Sequence, residues 1–431
     1  MNRKELLRFI FWEWIEPIGT ALCIALLVMK YVMAIYVIPT GSMQPTLHGK
    51  GDYPHEFGDK VLVNKFVYEF TKPKKWDVIV FVYPYNIIQC SKCERDVKRD
   101  IPKDDPKIIP EGLICETNNH GDRYLRFIEK DYIKRCVATE GDELTIRDGN
   151  LLLRGKNNEW VYSKKTPKAQ SELWRNIFTF DNKEHFSTIN EFWDWGNSNH
   201  GVWDPNKKLL ILETNKAYTL RFHNHYKLLG YGDKGVNDHA MLRPLVGDVQ
   251  FDIELDKTPN EGLLEFEILW NIELYQATID FKTQMVKIMI SNKVIDSFKI
   301  DQNNHRFSFS RLDGALYFSQ DPFNVREYKI ENLNPEHKTT RLIPTIHYKG
   351  EAVTLTQMNI NRDIYYDLGY HPQVFHGDDL SYKVQPGEYF AMGDNSYWSS
   401  DSRIWGTVPE DALIGKALAV LLPFHRIKLI Y

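Results

Sequence analysis

The most regular pattern in the chain is a period of two. In VQFDIELD, Val249, Phe251, Ile253 and Leu255 alternate with Gln250, Asp252, Glu254 and Asp256. That spacing puts one face of a strand in a core and the other in water. LLEFEIL, YQATIDF, VKIMI and FSFSRL continue the alternation between about residues 209 and 332, separated by turn residues. Such a series predicts an antiparallel β-sandwich or jelly roll. Strands are also predicted in GDKVLVNKFVY and WDVIVFVYP, between residues 58 and 83, and in YLRFIEKDYIKRCVATEGDELTIRDGNLLL. Within the last of these, Glu140-Gly141-Asp142 and Asp148-Gly149-Asn150 mark turns. Residues 166 to 205 give no firm assignment. The expected fold class is mainly β.

The front of the chain departs from this pattern. Two uncharged runs, Pro17 to Met29 and Tyr31 to Ser42, are separated by Lys30. A span needs ~20 apolar residues, so the reading requires Lys30 to snorkel at one interface with Trp12 and Trp14 at the other. Residues 13 to 33 are then expected to form a single transmembrane helix, with Arg3, Lys4 and Arg8 on the cytoplasmic side and the rest of the chain outside. A cleaved signal peptide is the competing reading, but no small-x-small site follows the apolar core.

At 431 residues the chain is long enough for two or three domains, and its net charge of -4 argues against a nucleic-acid partner. Five cysteines occur: Cys23 in the apolar segment, Cys90, Cys93 and Cys115 in a polar, Pro-rich stretch from about 86 to 121, and Cys136. Cys90-Ser-Lys-Cys93 is followed by Cys115-Glu-Thr-Asn118 with His120 nearby, which is an incomplete zinc-ribbon pattern. Three readings stand: a Cys90–Cys93 disulfide, a zinc site completed by His120, or a ribbon without metal. His223, Asn224 and His225 are a further metal candidate set, read more simply as surface.

Candidate chemistry begins at IPTGSMQPTL, residues 38 to 47, where Pro39 and Pro45 bracket Ser42 in turn-forming sequence. His48 is the nearest possible base, although it lies in a loop without an obvious carboxylate. Lys134, in DYIKRCVATEGD, is expected to share a strand face with Tyr132, Cys136 and Ala138. A strand lysine is usually a surface residue, but among such neighbours it can be desolvated, which lowers its pKa and lets it accept a serine proton.

IPTGSMQPTL, WDVIVFVYP, YIKRCVATEGD and GDNSYWSSDSRIWGTVPEDALIGKA occur in that order after the apolar segment. Together they resemble the boxes of bacterial type I signal peptidases, membrane-bound Ser-Lys endopeptidases. The resemblance covers about residues 13 to 85, 122 to 150 and 360 to 431. It implies Ser42 as nucleophile, Lys134 as general base, and an oxyanion hole from Thr40 (usually Ser in the family) with the Ser42 N–H. It also implies that Ser399 orients the lysine, that Asp401, Arg403 and Arg135 form a supporting charge network, and that Asp394 and Asn395 shape the site. By position Tyr36, Ile38, Met43, Leu47, Val80, Tyr132 and Ile133 would line substrate pockets. No cofactor is implied. The implied partners are preprotein signal peptides, the lipid bilayer and export machinery, with the site on the outer face of the cytoplasmic membrane. The expected organisation is an anchor over 1–35, a catalytic core over 36–150 and 356–431, and an inserted lectin-like sandwich over 151–355. Glu140 stands where family members commonly have Pro. The rival function is a membrane-anchored binding protein whose sandwich recognises a glycan or protein.

Overall fold

The computed structural model describes residues 11–51, 57–103, 105–115, 122–181, 193–194, 202–204, 209–222, 245–321, 324–330, 338–368, 374–375 and 380–431. Helix α1 (Glu16–Tyr31) continues a π-helical turn at Phe11–Ile15. Its apolar side chains face solvent: Ile18, Leu22, Ile24, Leu26 and Leu27 are all exposed. The helix has 16 residues, and among the described residues no helix is long and apolar enough to cross a membrane. The span expected over 13 to 33 is shortened because strand β1 (Met33–Val37) already begins two residues beyond the helix. There it exchanges helical hydrogen bonds for a ladder with β2 (Lys60–Asn64).

The β-branched runs that follow make one antiparallel sheet. Its further strands are β3 (Val78–Val82), β4 (Asp131–Thr139), β5 (Glu388–Met392), β6 (Val408–Pro409), β7 (Leu413–Leu422) and β8 (Lys428–Leu429). The order across it is β1-β2-β7-β3-β4-β5-β6, with β8 beside β7. Segments from both ends of the chain therefore interleave, and β1 lies at an edge. The register between β4 and β5 slips at Val137, because Phe390 faces Ala138 while Ala391 faces Cys136. This bulge overturns the expected single face of β4. Tyr132 and Cys136 pack with Ile79, Phe81 and Trp405, but Val137 and Ala138 pack together in a different cluster.

Two smaller sheets flank this one. Glu143–Arg147, Asn150–Arg154, Trp160–Tyr162 and Tyr382–Lys383 form a four-stranded sheet. Asn86–Cys90, Asp96–Ile101 and Leu125–Ile128 form a three-stranded one that carries the cysteines. Helix α2 (Pro167–Leu173) then leads onward. Thr166 caps it by accepting the Ala169 N–H, and Pro167 occupies its first turn.

The alternating region builds two facing sheets of eight and seven strands among the described residues, running from Arg175–Asp181 to Val353–Arg362. Val249, Phe251, Ile253 and Leu255 point into the shared core as their spacing predicts, and Phe251, Phe266 and Phe309 interlock there across the two sheets. Asp252 is buried rather than solvated because Arg306 pairs with it.

Candidate active site

Ser42 sits in a single 3-10 turn, Gly41–Met43, between β1 and β2. The turn is held by the main chain of a distant segment: Asn395 N–H donates to the Ser42 carbonyl (3.0 Å) and Asn395 Nδ2 to the Gly41 carbonyl (3.0 Å). Gly393, just before them, is required by close approach. A Cβ there would lie 2.5 Å from the Ser42 carbonyl oxygen and 2.2 Å from Ser399 Oγ. Behind the turn, Asp59 accepts from the His48 N–H and from Arg426 Nε, both at 2.8 Å. His48 thus contributes its main chain to bracing the loop.

Lys134 approaches from β4. Its Nζ stands 2.7 Å from Ser42 Oγ and 3.1 Å from the Ile133 carbonyl. Ser42 is 7% exposed and Lys134 5%. Burial lowers the Lys134 pKa to about 8, against the pull of Asp401 and Asp394 and with help from Arg403. The carboxylates do not hold the lysine charged because each is committed elsewhere. Asp401 takes a fork from Arg403, Nε at 2.8 Å and Nη2 at 2.7 Å, and accepts the Gly393 N–H at 3.0 Å. Burial would raise the Asp401 carboxyl, but Arg403 and these hydrogen bonds bring it below its ordinary value. Asp394 takes a second fork from Arg135, Nε at 2.8 Å and Nη2 at 2.9 Å, and accepts from Thr46 Oγ1 at 2.5 Å. The wall near Lys134 is aromatic. Tyr132 stacks on Tyr83 with ring centroids 4.6 Å apart, and the Tyr132 ring centre is 5.6 Å from Lys134 Nζ. A buried amine whose pKa is lowered toward neutrality, in contact with a hydroxyl, is the arrangement that general-base activation of serine needs.

The remaining expected residues divide. Thr40 Oγ1 lies 3.5 Å from Ser42 Oγ, on the exposed side of the turn. Ser399 Oγ is buried against Gly393, within the electrostatic reach of Asp401, and makes no well-aligned hydrogen bond to Lys134. Ile38, Met43, Leu47 and Val80 are fully buried and support the turn from within, whereas Tyr36 and Ile133 reach the rim of that cluster. Tyr132 belongs to the aromatic wall instead.

Sequence reasoning missed several supports of the site, Thr46, Asp59 and Arg426 among them. Arg135 also donates to Glu172 Oε2 (3.2 Å), to the Trp76 carbonyl (2.7 Å) and to the Tyr431 carbonyl (2.9 Å). Arg175 Nη2 donates to the Gln44 carbonyl at 3.1 Å. Glu172 lies on α2, whose Thr-Pro start was a readable cap signal. The contacts of Trp76, Tyr431 and Arg175 have no local signature.

Cys90, Cys93 and Cys115 come together, with their sulfurs within 4.8 Å of one another. Of the three readings, the Cys90–Cys93 disulfide is not formed, and Cys93 Sγ lies 3.4 Å from Cys115 Sγ. His120, His223, Asn224 and His225 lie outside the described residues.

A family model described as "Signal peptidase, peptidase S26" matches residues 11–216 and 287–422. Among curated relatives, "Signal peptidase I" of Buchnera aphidicola subsp. Acyrthosiphon pisum is 51% identical over 129 residues, 30% of this chain and 38% of that protein. "Signal peptidase I" of Mycobacterium tuberculosis (strain H37Rv) is 41% identical over 146 residues, 31% and 43% of the two chains. "Probable signal peptidase I" of Mycobacterium leprae is 28% identical over 153 residues, 35% and 47%. The chain thus spans less than half the length of these relatives. Among solved structures, a protein with a galectin-like fold from Bacillus subtilis aligns with 44% of this chain and 99% of its own at 7% identity and a TM-score of 0.30, too weak a likeness to argue from.

Proposed function

We propose that this chain, which belongs to the signal peptidase family (peptidase S26), is an endopeptidase that removes N-terminal signal peptides from exported preproteins. The observation that carries the reading is the 2.7 Å approach of Lys134 Nζ to Ser42 Oγ in a buried site where the amine is neutral at mildly alkaline pH. In this mechanism Lys134 takes the Ser42 hydroxyl proton as Oγ attacks the scissile carbonyl. The Ser42 N–H and the Thr40 hydroxyl stabilise the oxyanion. The Lys134 ammonium then protonates the departing amine. Water, deprotonated by the same amine, hydrolyses the ester and restores the serine. Asn395 and the Asp394–Arg135 and Asp401–Arg403 pairs hold this geometry, and Ser399 fills the space beside Gly393. No cofactor takes part.

The substrate is an extended segment lying beside the β1 edge, reading small side chains through the rim formed by Tyr36 and Ile133. The core and sandwich read as separate units, the sandwich beginning near Arg175 and ending near Arg362. We assign the chain to the cytoplasmic membrane, attached through its N-terminal segment with the site on the outer face. The exposed apolar side chains of α1 support that attachment, and alkaline extraction of membranes tests it. The binding-protein reading has less support, since it offers no reason for Ser42 and Lys134 to stay paired and dry.

The decisive assay is cleavage of a preprotein by the full chain and by Ser42→Ala. We expect the variant to fold with an unchanged melting temperature and to lose ~10⁴-fold or more in turnover. Retained cleavage would remove the serine-peptidase reading.

A further inference from the structure

The three-stranded sheet has a very small core, in which Ile88, Cys90, Cys115 and Leu125 are the buried residues. A core of that size rarely holds an excursion of polar, Pro-rich chain together without a covalent or metal clip. The hairpin tip that carries Cys90 and Cys93 is closely specified. Cys90 N–H donates to the Arg95 carbonyl (2.9 Å), Glu94 N–H to the Cys90 carbonyl (2.8 Å), and Glu94 takes a left-handed φ of 57° directly after Cys93. This turn aims two sulfurs the same way, and Cys115 brings a third from a segment 22 residues beyond Cys93. Sulfurs bound tetrahedrally to zinc at ~2.3 Å lie about 3.8 Å from one another. The Cys93 and Cys115 sulfurs are 3.4 Å apart and all three lie within 4.8 Å of one another, which brackets that spacing.

We propose that Cys90, Cys93 and Cys115 bind a Zn²⁺ ion that clips the 86–128 excursion together, independently of the peptidase reading. Each thiol releases its proton to water, and three thiolates enter the ion's coordination sphere. Three converging sulfurs favour a metal over a disulfide, which would join two and leave the third buried beside them. Cys93 is only half-buried, so the group is open to a fourth ligand on its side. The clip also bears on the site, because Leu125–Ile128 runs directly into β4 and Lys130 pairs with Asp96 across the excursion at 2.6 Å.

The test uses the full chain, purified with reductant, offered Zn²⁺ and then gel-filtered before elemental analysis. We expect about one zinc per chain, reduced to background in Cys93→Ser with Cys115→Ser. Co²⁺ added to the wild-type chain should give thiolate-to-metal charge-transfer bands, a readout that does not depend on the variant folding. A wild-type chain that emerges metal-free and lacks those bands overturns the proposal. So does a Cys93–Cys115 disulfide in protein prepared with Zn²⁺ and mapped without reduction, or unchanged zinc in the double variant.

Discussion

The molecule buries two lysine side chains and uses them in opposite ways. Lys134, in the core sheet, is buried as a whole residue, and Lys165, at the junction with the sandwich, keeps its side chain only 5% exposed although the residue is half-buried overall. Burial is the largest influence on both, and in both it works against the ammonium. Lys165 nevertheless has its pKa raised, because Asp313 and Asp363 touch it at 2.7 and 2.8 Å. Lys134 has its pKa lowered to about 8, because its near partners are a hydroxyl and a carbonyl, while the carboxylates in its field are occupied by arginines. Desolvation alone therefore makes neither a base nor a salt bridge. The partner in contact decides between them.

The comparison can be broken from either side. The largest effect is expected at Lys134: Lys134→Met should lower preprotein cleavage by ~10²–10⁴-fold with little change in melting temperature, read by turnover and thermal unfolding together. The mirror substitution, Lys165→Met, should leave turnover near wild type. It should cost about 3–5 kcal/mol in denaturant unfolding, since it strands Asp313 and Asp363 among buried neighbours. If Lys165→Met instead abolished cleavage, the division between reactive and structural lysine would be wrong. Thr40→Val should reduce the maximal rate by ~10²–10³-fold, while Thr40→Ser should preserve it, because only a donor hydroxyl matters there.

The smallest effect concerns pH and should move the two regions in opposite directions. Only neutral Lys134 accepts a proton, so kcat/KM should climb about tenfold per pH unit and level off above about pH 8. At the junction, burial first, and then Asp313 and Asp363, push the Asp248 carboxyl up to about 7 against Arg311. A carboxyl whose folded pKa exceeds its unfolded value binds more protons when folded. Its stabilising contribution is complete below about pH 4 and is lost as pH rises through 7. Thermal melts between those values should show that slope, and Asp248→Asn should flatten it.

Much of this was legible in the order of residues. The period of two in VQFDIELD foretold which side chains enter the sandwich core, since a pleated strand allows no other assignment. The turn chemistry around Ser42, and the four boxes in their order, pointed to Ser42 and Lys134. Other features were not legible. A bulge at Val137 sent Ala138 to a different cluster, and nothing local told that helix α2, despite its readable Thr-Pro cap, would bring Glu172 to Arg135. What the sequence determined by itself is local: strand periodicity, caps, turns, and the presence of a serine and a lysine suited to the chemistry. Only the tertiary structure decided which lysine has its pKa lowered. Lys134 meets Ser42 across 92 residues, and Lys165 meets its acids across 148 and 198. A pKa belongs to a side chain's surroundings, and folding assembles those surroundings from segments that are remote along the chain.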